Sequence, residues 1–196
     1  DKIKQKNQSI IASITDPITK DIIKFNIVND HTLWRAKTMF TKEPITIKWI
    51  RTFDKKSVFF DIGANIGIYS MFAAIINSSK VYSFEPESNN FQTLMQNIIT
   101  NNLIGSVIPF QIGISDKTGL TKLNLNNFEA GLSHHTVGES ALDHSNLKPI
   151  KSKYMQGIFS TTLDELCSKW KVQSPRYIKI DVDGIESKII SESINV

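Results

Sequence analysis

The chain has one cysteine, Cys167, so no disulfide can form within it. A count this low fits a reducing cytoplasm, which is the expected location. No apolar run approaches the roughly 20 residues that span a bilayer. The longest, Met71 to Ile76, suits a core helix, and no membrane span is expected. No secretory signal is visible at the start, which reads Asp1 in place of an initiator Met. Internal repeats and low-complexity tracts are absent, which excludes solenoids and fibrous arrays. Most of the chain also lacks an excess of one charge. Asp1 to Lys56 holds twelve Lys/Arg against six Asp/Glu, and the remainder holds eleven against thirteen, so the formal +4 belongs to the first segment. Lys2, Lys4 and Lys6 sit among Gln, Asn and Ser and read as a solvated terminus. With no nucleic-acid module beside that charge, nucleic acid is not an expected partner.

What is present is an ordinary globular composition, 40% apolar and 21% charged, on 196 residues. That length supports one domain with a real core. We expect a helical extension over residues 1–56 and a single domain over residues 57–196. Two helical patterns abut from Leu33 to Phe53, the second opened by Glu43-Pro44, and the pair is expected to flank the domain. Val58 to Ile62 is a short apolar run that ends in a glycine turn, followed by the apolar helix Ile68 to Ile76. Val81 to Phe84 repeats the strand, with a helical stripe at Phe91, Leu94, Met95 and Ile98 behind it. Further strands are expected at Val107 to Ile112 and Tyr177 to Val182. Alternating strands and helices of this length predict an α/β fold of the doubly wound class, with a parallel sheet. About 65 residues separate the last two strands and must carry structure of their own. Within them Thr121 to Leu125 alternates like an exposed strand, Gly131 to Pro149 reads as a mobile loop, and Thr162 opens a helix through Trp170.

The chemistry gathers at strand ends. In Asp61-Ile62-Gly63-Ala64-Asn65-Ile66-Gly67, Gly63 and Gly67 allow a tight turn and a close approach to a ligand. The amides opening the next helix are expected to offer unpaired donors, and Asp61 can accept from a cationic amine. A dinucleotide-binding turn would show G-x-G-x-x-G around a pyrophosphate, and here the glycines are four apart. A nucleoside that bears an amino acid and no phosphate fits better, although a glycine turn can also serve strand-helix packing alone. Glu85 ends the second strand, where its carboxylate can accept from both hydroxyls of a ribose. Ser115 and Asp116 end the third, beside the place for a base; Asp116 can take an exocyclic amine or simply open the turn to Gly119. The fourth strand ends in Asp181, Asp183 and Glu186. Asp181 is the first choice for a general base or acceptor anchor, and Glu186 falls at a helix start where acids are favoured anyway. His134 and His135, in the polar loop, are candidates for an acceptor site. No metal site is expected.

With these residues assembled, the chain resembles the FkbM family of S-adenosylmethionine-dependent methyltransferases. The likeness rests on Val58 to Gly67, Val81 to Pro86, Gly113 to Gly119, Thr162 to Leu166 and Ile178 to Glu186, which together span about two-thirds of the chain. The family usually has Glu where this chain has Asp183. The resemblance implies a Rossmann-like class I methyltransferase sheet, of which the C-terminal strands are expected to be missing. It implies S-adenosylmethionine as cofactor and O-methylation of a sugar, glycan or natural product, so that a small-molecule or glycan acceptor is the expected partner. A homo-oligomer, a non-catalytic cofactor-binding module and a dinucleotide-dependent oxidoreductase stand as alternatives.

Overall fold

The computed structural model describes residues 10–125, 127–133, 136–137, 141–142, 149–150, 152–182 and 184–193. Two strands, β1 (Ile10–Thr15) and β2 (Ile22–Ile27), open it as an antiparallel hairpin with Ile10 opposite Ile27 and Thr15 opposite Ile22. This corrects the expectation of a wholly helical extension. The two segments are dominated by β-branched Ile and Thr, which favour strands, and Asp16-Pro17 supplies the turn between them. The Asp16 carboxylate accepts from the Ile18 N–H at 3.0 Å and the Thr19 hydroxyl at 2.7 Å. Burial pushes its carboxyl up, but Arg51, bonded at 3.0 Å, and the turn donors hold it well below the usual carboxylate range. Helices α1 (Asp30–Lys37) and α2 (Pro44–Arg51) follow. Asn29 and Thr32 close a reciprocal capping box on α1, and Pro44 occupies the first turn of α2 as expected.

The sheet is then built in alternation: β3 (Val58–Ile62), α3 (Ile68–Asn77), β4 (Lys80–Phe84), α4 (Ser88–Thr100) and β5 (Val107–Phe110). After it come β6 (Gly113–Ile114), β7 (Gly119–Leu125), β8 (Thr136–Val137), β9 (Ala141–Leu142), β10 (Pro149–Ile150), β11 (Tyr154–Thr161), α5 (Leu163–Ser168), β12 (Tyr177–Ile180) and α6 (Glu186–Ser191). The main sheet has the order β12-β3-β4-β5 with every pair parallel. Strand alternation divides its side chains between two cores. Phe59 and Val81 pack with α2, α3, α4 and the hairpin, around Phe25, Ile50, Phe72 and Leu94. Phe60, Ile62 and Phe84 pack on the other face against Leu163, Leu166, Ile185 and Ile189 of and beside α5 and α6. Helices on both faces of a parallel sheet make this the doubly wound class. All five residues of β3 are buried, which is why it reads as an unbroken apolar run.

The long connection folds as a second sheet of order β6-β11-β7-β8. Its β11 pairs antiparallel with β7 from Tyr154↔Leu125 to Ser160↔Gly119, and Leu123, Leu125 and Ile158 form its small core. The segment read as a loop contains the short strands β8, β9 and β10. No helix among the described residues is long and apolar enough to cross a membrane.

Candidate functional site

A cavity of about 430 Å³ opens at the carboxyl ends of β3, β4 and β12. The sheet edge supplies Ile62, Gly63, Phe84, Glu85, Lys179 and Asp181; α3 adds Ile68 and Tyr69. The opposite wall is α1 and the chain after it, with Trp34, Arg35, Met39, Lys42 and Glu43, and residues Gly131 to Ser133 lie across it. The N-terminal segment is therefore a wall of the cavity.

The turn from Asp61 to Gly67 is bound into the protein more fully than its sequence suggests. Gly63 and Ala64 donate to the Phe84 carbonyl at 3.0 and 3.1 Å, Asn65 to Glu85 Oε2 at 2.7 Å, Ile66 to Asn65 Oδ1 at 2.9 Å and Gly67 to the Ala64 carbonyl at 2.8 Å. Each N–H of the turn itself therefore has a protein acceptor, three of them at the end of β4 and two within the turn. Gly63 has φ +74°, and a Cβ there would lie 1.9 Å from the Asp181 carbonyl oxygen. Gly67 has φ +86°, and its Cβ would meet Leu94 Cδ1 at 2.4 Å. Both glycines are thus required by neighbouring protein atoms. Asn65, left-handed at φ 51°, is a residue type that tolerates that region, and its Nδ2 donates to the Leu132 carbonyl at 2.6 Å.

Glu85 is 5% exposed and lines the cavity. Its Oε2 accepts from Asn65 N–H and its Oε1 from Glu87 N–H at 2.9 Å. Burial pushes its carboxyl up to about 7, against the pull of those amides. Asp61 is fully buried and does not line the cavity. Register puts Lys179, Asp61 and Ser83 side by side on β12, β3 and β4, all on the α3 face. Asp61 Oδ2 accepts from the Ser70 hydroxyl at 2.5 Å, while Oδ1 has no hydrogen-bond donor and lies 3.7 Å from Lys179 Nζ. Burial pushes the Asp61 carboxyl up, and Lys179 opposes that shift. Lys179 Nζ also reaches Asp181 Oδ2 at 3.1 Å and stands 5.1 Å from the Tyr69 ring centre. Asp181, half exposed, faces the cavity.

The other expected residues are divided between the cavity and its surroundings. Ala64 lines the cavity beside Gly63. Gly113 and Ile114 do so as well, but Ser115 and Asp116 do not; the Ser115 hydroxyl donates to Asp116 Oδ1 at 2.9 Å. Glu186 accepts from Val182 N–H at 3.3 Å and Gly184 N–H at 3.0 Å, so both its oxygens hold the loop before α6. Asp183, His134 and His135 lie outside the described residues. No group of three His, Cys, Asp or Glu suited to a metal occurs among the described residues. Sequence reading missed Arg35, Glu43, Tyr69 and Lys179. Lys179 stands inside a quoted motif and follows from strand alternation; the others carry no local signal. Burial raises the Tyr69 hydroxyl, reinforced by its bond to Glu43. Burial pushes Glu43 up, but Lys42 and Tyr69 hold it below its ordinary value. Burial lowers Arg35, and Asp181 and Glu85 counter it.

A family model described as the methyltransferase FkbM domain matches residues 61–195. Over 195 residues the chain is 22% identical to the hexuronic acid methyltransferase AglP of Haloferax volcanii, covering 100% of this chain and 74% of that protein. Among solved structures, P. horikoshii TYW2 in complex with MeSAdo aligns at 18% identity and TM-score 0.39, over 54% of this chain and 37% of that one. M. jannaschii TYW2 in complex with AdoMet aligns at 21% identity and TM-score 0.37, over 56% and 49%. The chain thus spans less than half the length of these two structures. The family match, by contrast, takes in more than half of this chain and includes the turn, Glu85 and the Asp181 edge, and the chain belongs to the methyltransferase FkbM domain family.

Proposed function

We propose that this chain is an S-adenosylmethionine-dependent O-methyltransferase that acts on a sugar hydroxyl, with residues 57–196 as the cofactor-binding domain and the segment before them as its flank. The observation that carries the reading is Glu85. A buried carboxylate at a strand end, lining a cavity, receives one backbone donor on each oxygen. A carboxylate has about four acceptor positions, and with the Asn90 side chain also bonded to Glu85 about one remains for a ligand hydroxyl. The cofactor fits the residues present: the volume lies in the range of about 300–1,000 Å³ usual for small-molecule sites, and Phe84, Ile62 and Ile114 offer an apolar wall for a base. Gly63 and Ala64 would border the nucleoside. Asp61 would act through Lys179, which it holds at the cavity wall.

When bound, the cofactor supplies a methyl group electrophilic enough for a hydroxyl oxygen. Asp181 would take the proton that the acceptor hydroxyl loses when the methyl passes from sulfur to oxygen and the carbon–sulfur bond breaks, and Lys179, 3.1 Å away, holds its carboxylate in place. Positioning of the hydroxyl between Asp181 and the α1 wall provides the remaining acceleration. The sugar acceptor is supported by the similarity to a hexuronic acid methyltransferase. A cytoplasmic location and an acceptor other than nucleic acid belong to the same reading. Calorimetry with S-adenosylhomocysteine should show saturable binding that Glu85→Ala weakens, and labelled cofactor should transfer methyl groups to a glycan extract. A folded chain that fails to bind S-adenosylhomocysteine refutes the reading; binding without transfer would make it a non-catalytic module.

A further inference from the structure

Among the described residues six charged side chains line the cavity, three of each sign: Arg35, Lys42 and Lys179 with Glu43, Glu85 and Asp181. Four of them are paired. Lys42 Nζ lies 3.0 Å from Glu43 Oε1, and Lys179 Nζ lies 3.1 Å from Asp181 Oδ2, with the buried Asp61 3.7 Å behind it. His31, at the mouth, stands 3.9 Å from Glu129. Arg35 and Glu85 remain. Arg35 is half-buried, its Nε donates to the Gly131 carbonyl, and among the described residues no carboxylate comes within ion-pair distance of its guanidinium. Asp181 and Glu85 act on this half-buried guanidinium without an ion-pair contact, and its planar fork matches the paired oxygens of a carboxylate or a phosphate, of which the phosphate-free ligands of the proposed function offer the carboxylate.

We propose that Arg35 is the carboxylate anchor of this cavity and that its Nη edge takes the carboxylate of a bound ligand. The proposal rests on the reading of the cavity as a cofactor and sugar site. The rigid base for it is α1, whose start is fixed by the Asn29–Thr32 box, and the Nε bond to Gly131 sets the plane of the fork. Charge complementarity then describes the ligand: a hydroxyl donor toward Glu85 and an anion toward Arg35. Two ligands of this site meet that description, the cofactor with its ribose and amino-acid carboxylate, and an acceptor of the uronic acid class.

The test uses pairs of probes that differ in the carboxylate: S-adenosylhomocysteine against its decarboxylated amine, and glucuronate against glucose on the S-adenosylhomocysteine-loaded chain. Affinities are measured by calorimetry for the wild type, Arg35→Gln and Arg35→Lys. Loss of a charge-assisted bidentate pair should weaken the carboxylate probe about tenfold or more, leave its carboxylate-free partner unchanged, and be partly recovered in Arg35→Lys. If S-adenosylhomocysteine alone weakens, the anchored carboxylate is the cofactor's. If the preference for glucuronate over glucose disappears, it is the acceptor's. Equal loss of both members of a pair signals a disturbed cavity wall and overturns the proposal, as does a carboxylate probe that binds Arg35→Gln as it binds the wild type. A wild type that binds neither nucleoside refutes the cofactor reading, and a wild type with no glucuronate preference as well leaves Arg35 without a role.

Discussion

Raising the pH from 6 to 8 should tighten S-adenosylhomocysteine binding about tenfold, because Glu85 loses its remaining acceptor position when its carboxyl is protonated. Its carboxyl is pushed up to about 7 by burial, with the nearby Glu87 acting in the same direction. A group with that value is about one-tenth ionised at pH 6 and about nine-tenths at pH 8, and apparent affinity scales with the competent fraction. Near pH 7 binding should release about half a proton, which calorimetry reads by comparing buffers of different ionisation enthalpy. Glu85→Gln should flatten the dependence, and His31→Gln separates any contribution from the imidazole at the mouth. The empty protein should respond in the opposite sense. Because the folded value lies above the ordinary 4.5, the folded chain keeps a proton that the unfolded chain releases. Stability from this group is full below about 4.5 and is lost as pH rises through about 7, a change on the order of 3 kcal/mol. Thermal melts should therefore show the empty chain less stable at pH 8 than at pH 5, with the ligand restoring more at the higher pH. A dissociation constant that stays flat from pH 6 to 8, or a slope that survives Glu85→Gln, refutes the reasoning.

Gly63→Ala should cost about 3 kcal/mol or more in urea unfolding, since it combines a left-handed φ with a Cβ 1.9 Å from the Asp181 carbonyl oxygen; a loss below about 1 kcal/mol would show that β12 moves aside freely. Lys179→Met should cost about 3–5 kcal/mol by leaving the buried Asp61 carboxyl without its cation, and adding Asp61→Asn should recover most of it. Simple additivity of the two would show that they do not interact. Asp181→Asn should lower kcat by about 10²–10⁴ with S-adenosylhomocysteine affinity unchanged, and an unaltered kcat removes Asp181 as the base.

What could be read from the sequence was what is local. Val58 to Gly67 announces a buried strand and a turn because β3 is covered on both faces, and Glu85 is found by its place at a strand end. The period-two rule also contained more than was taken from it. It puts Asp61 on the same face as Phe59, under α3, where it is a buried partner for Lys179 and does not line the cavity. The hairpin was missed although Ile10 to Ile27 is rich in β-branched residues, because the helical patterns after Leu33 were extended backward over it. Arg35 had no such signal. Its partner Gly131 lies 96 residues away, and pairings of that range are set by tertiary packing.

That distance matters for how the site is built. Residues 130–132 are held across the cavity by five hydrogen bonds from four side chains: Asn29 to the Ala130 carbonyl at 2.9 Å, Arg35 to the Gly131 carbonyl, Asn90 to the Leu132 carbonyl at 3.1 Å and from Gly131 N–H at 2.7 Å, and Asn65 to the Leu132 carbonyl at 2.6 Å. Each bond contributes about 1 kcal/mol net, so the crossing segment can change without threatening the sheet, whose stability lies in two large apolar cores. The crossing segment is thus less constrained than the turn from Asp61 to Gly67, whose two glycines are required by neighbouring protein atoms. Asn65 joins the two, since its N–H holds Glu85 while its side chain holds Leu132. One residue thus ties the segment that crosses the cavity to the buried carboxylate on its floor.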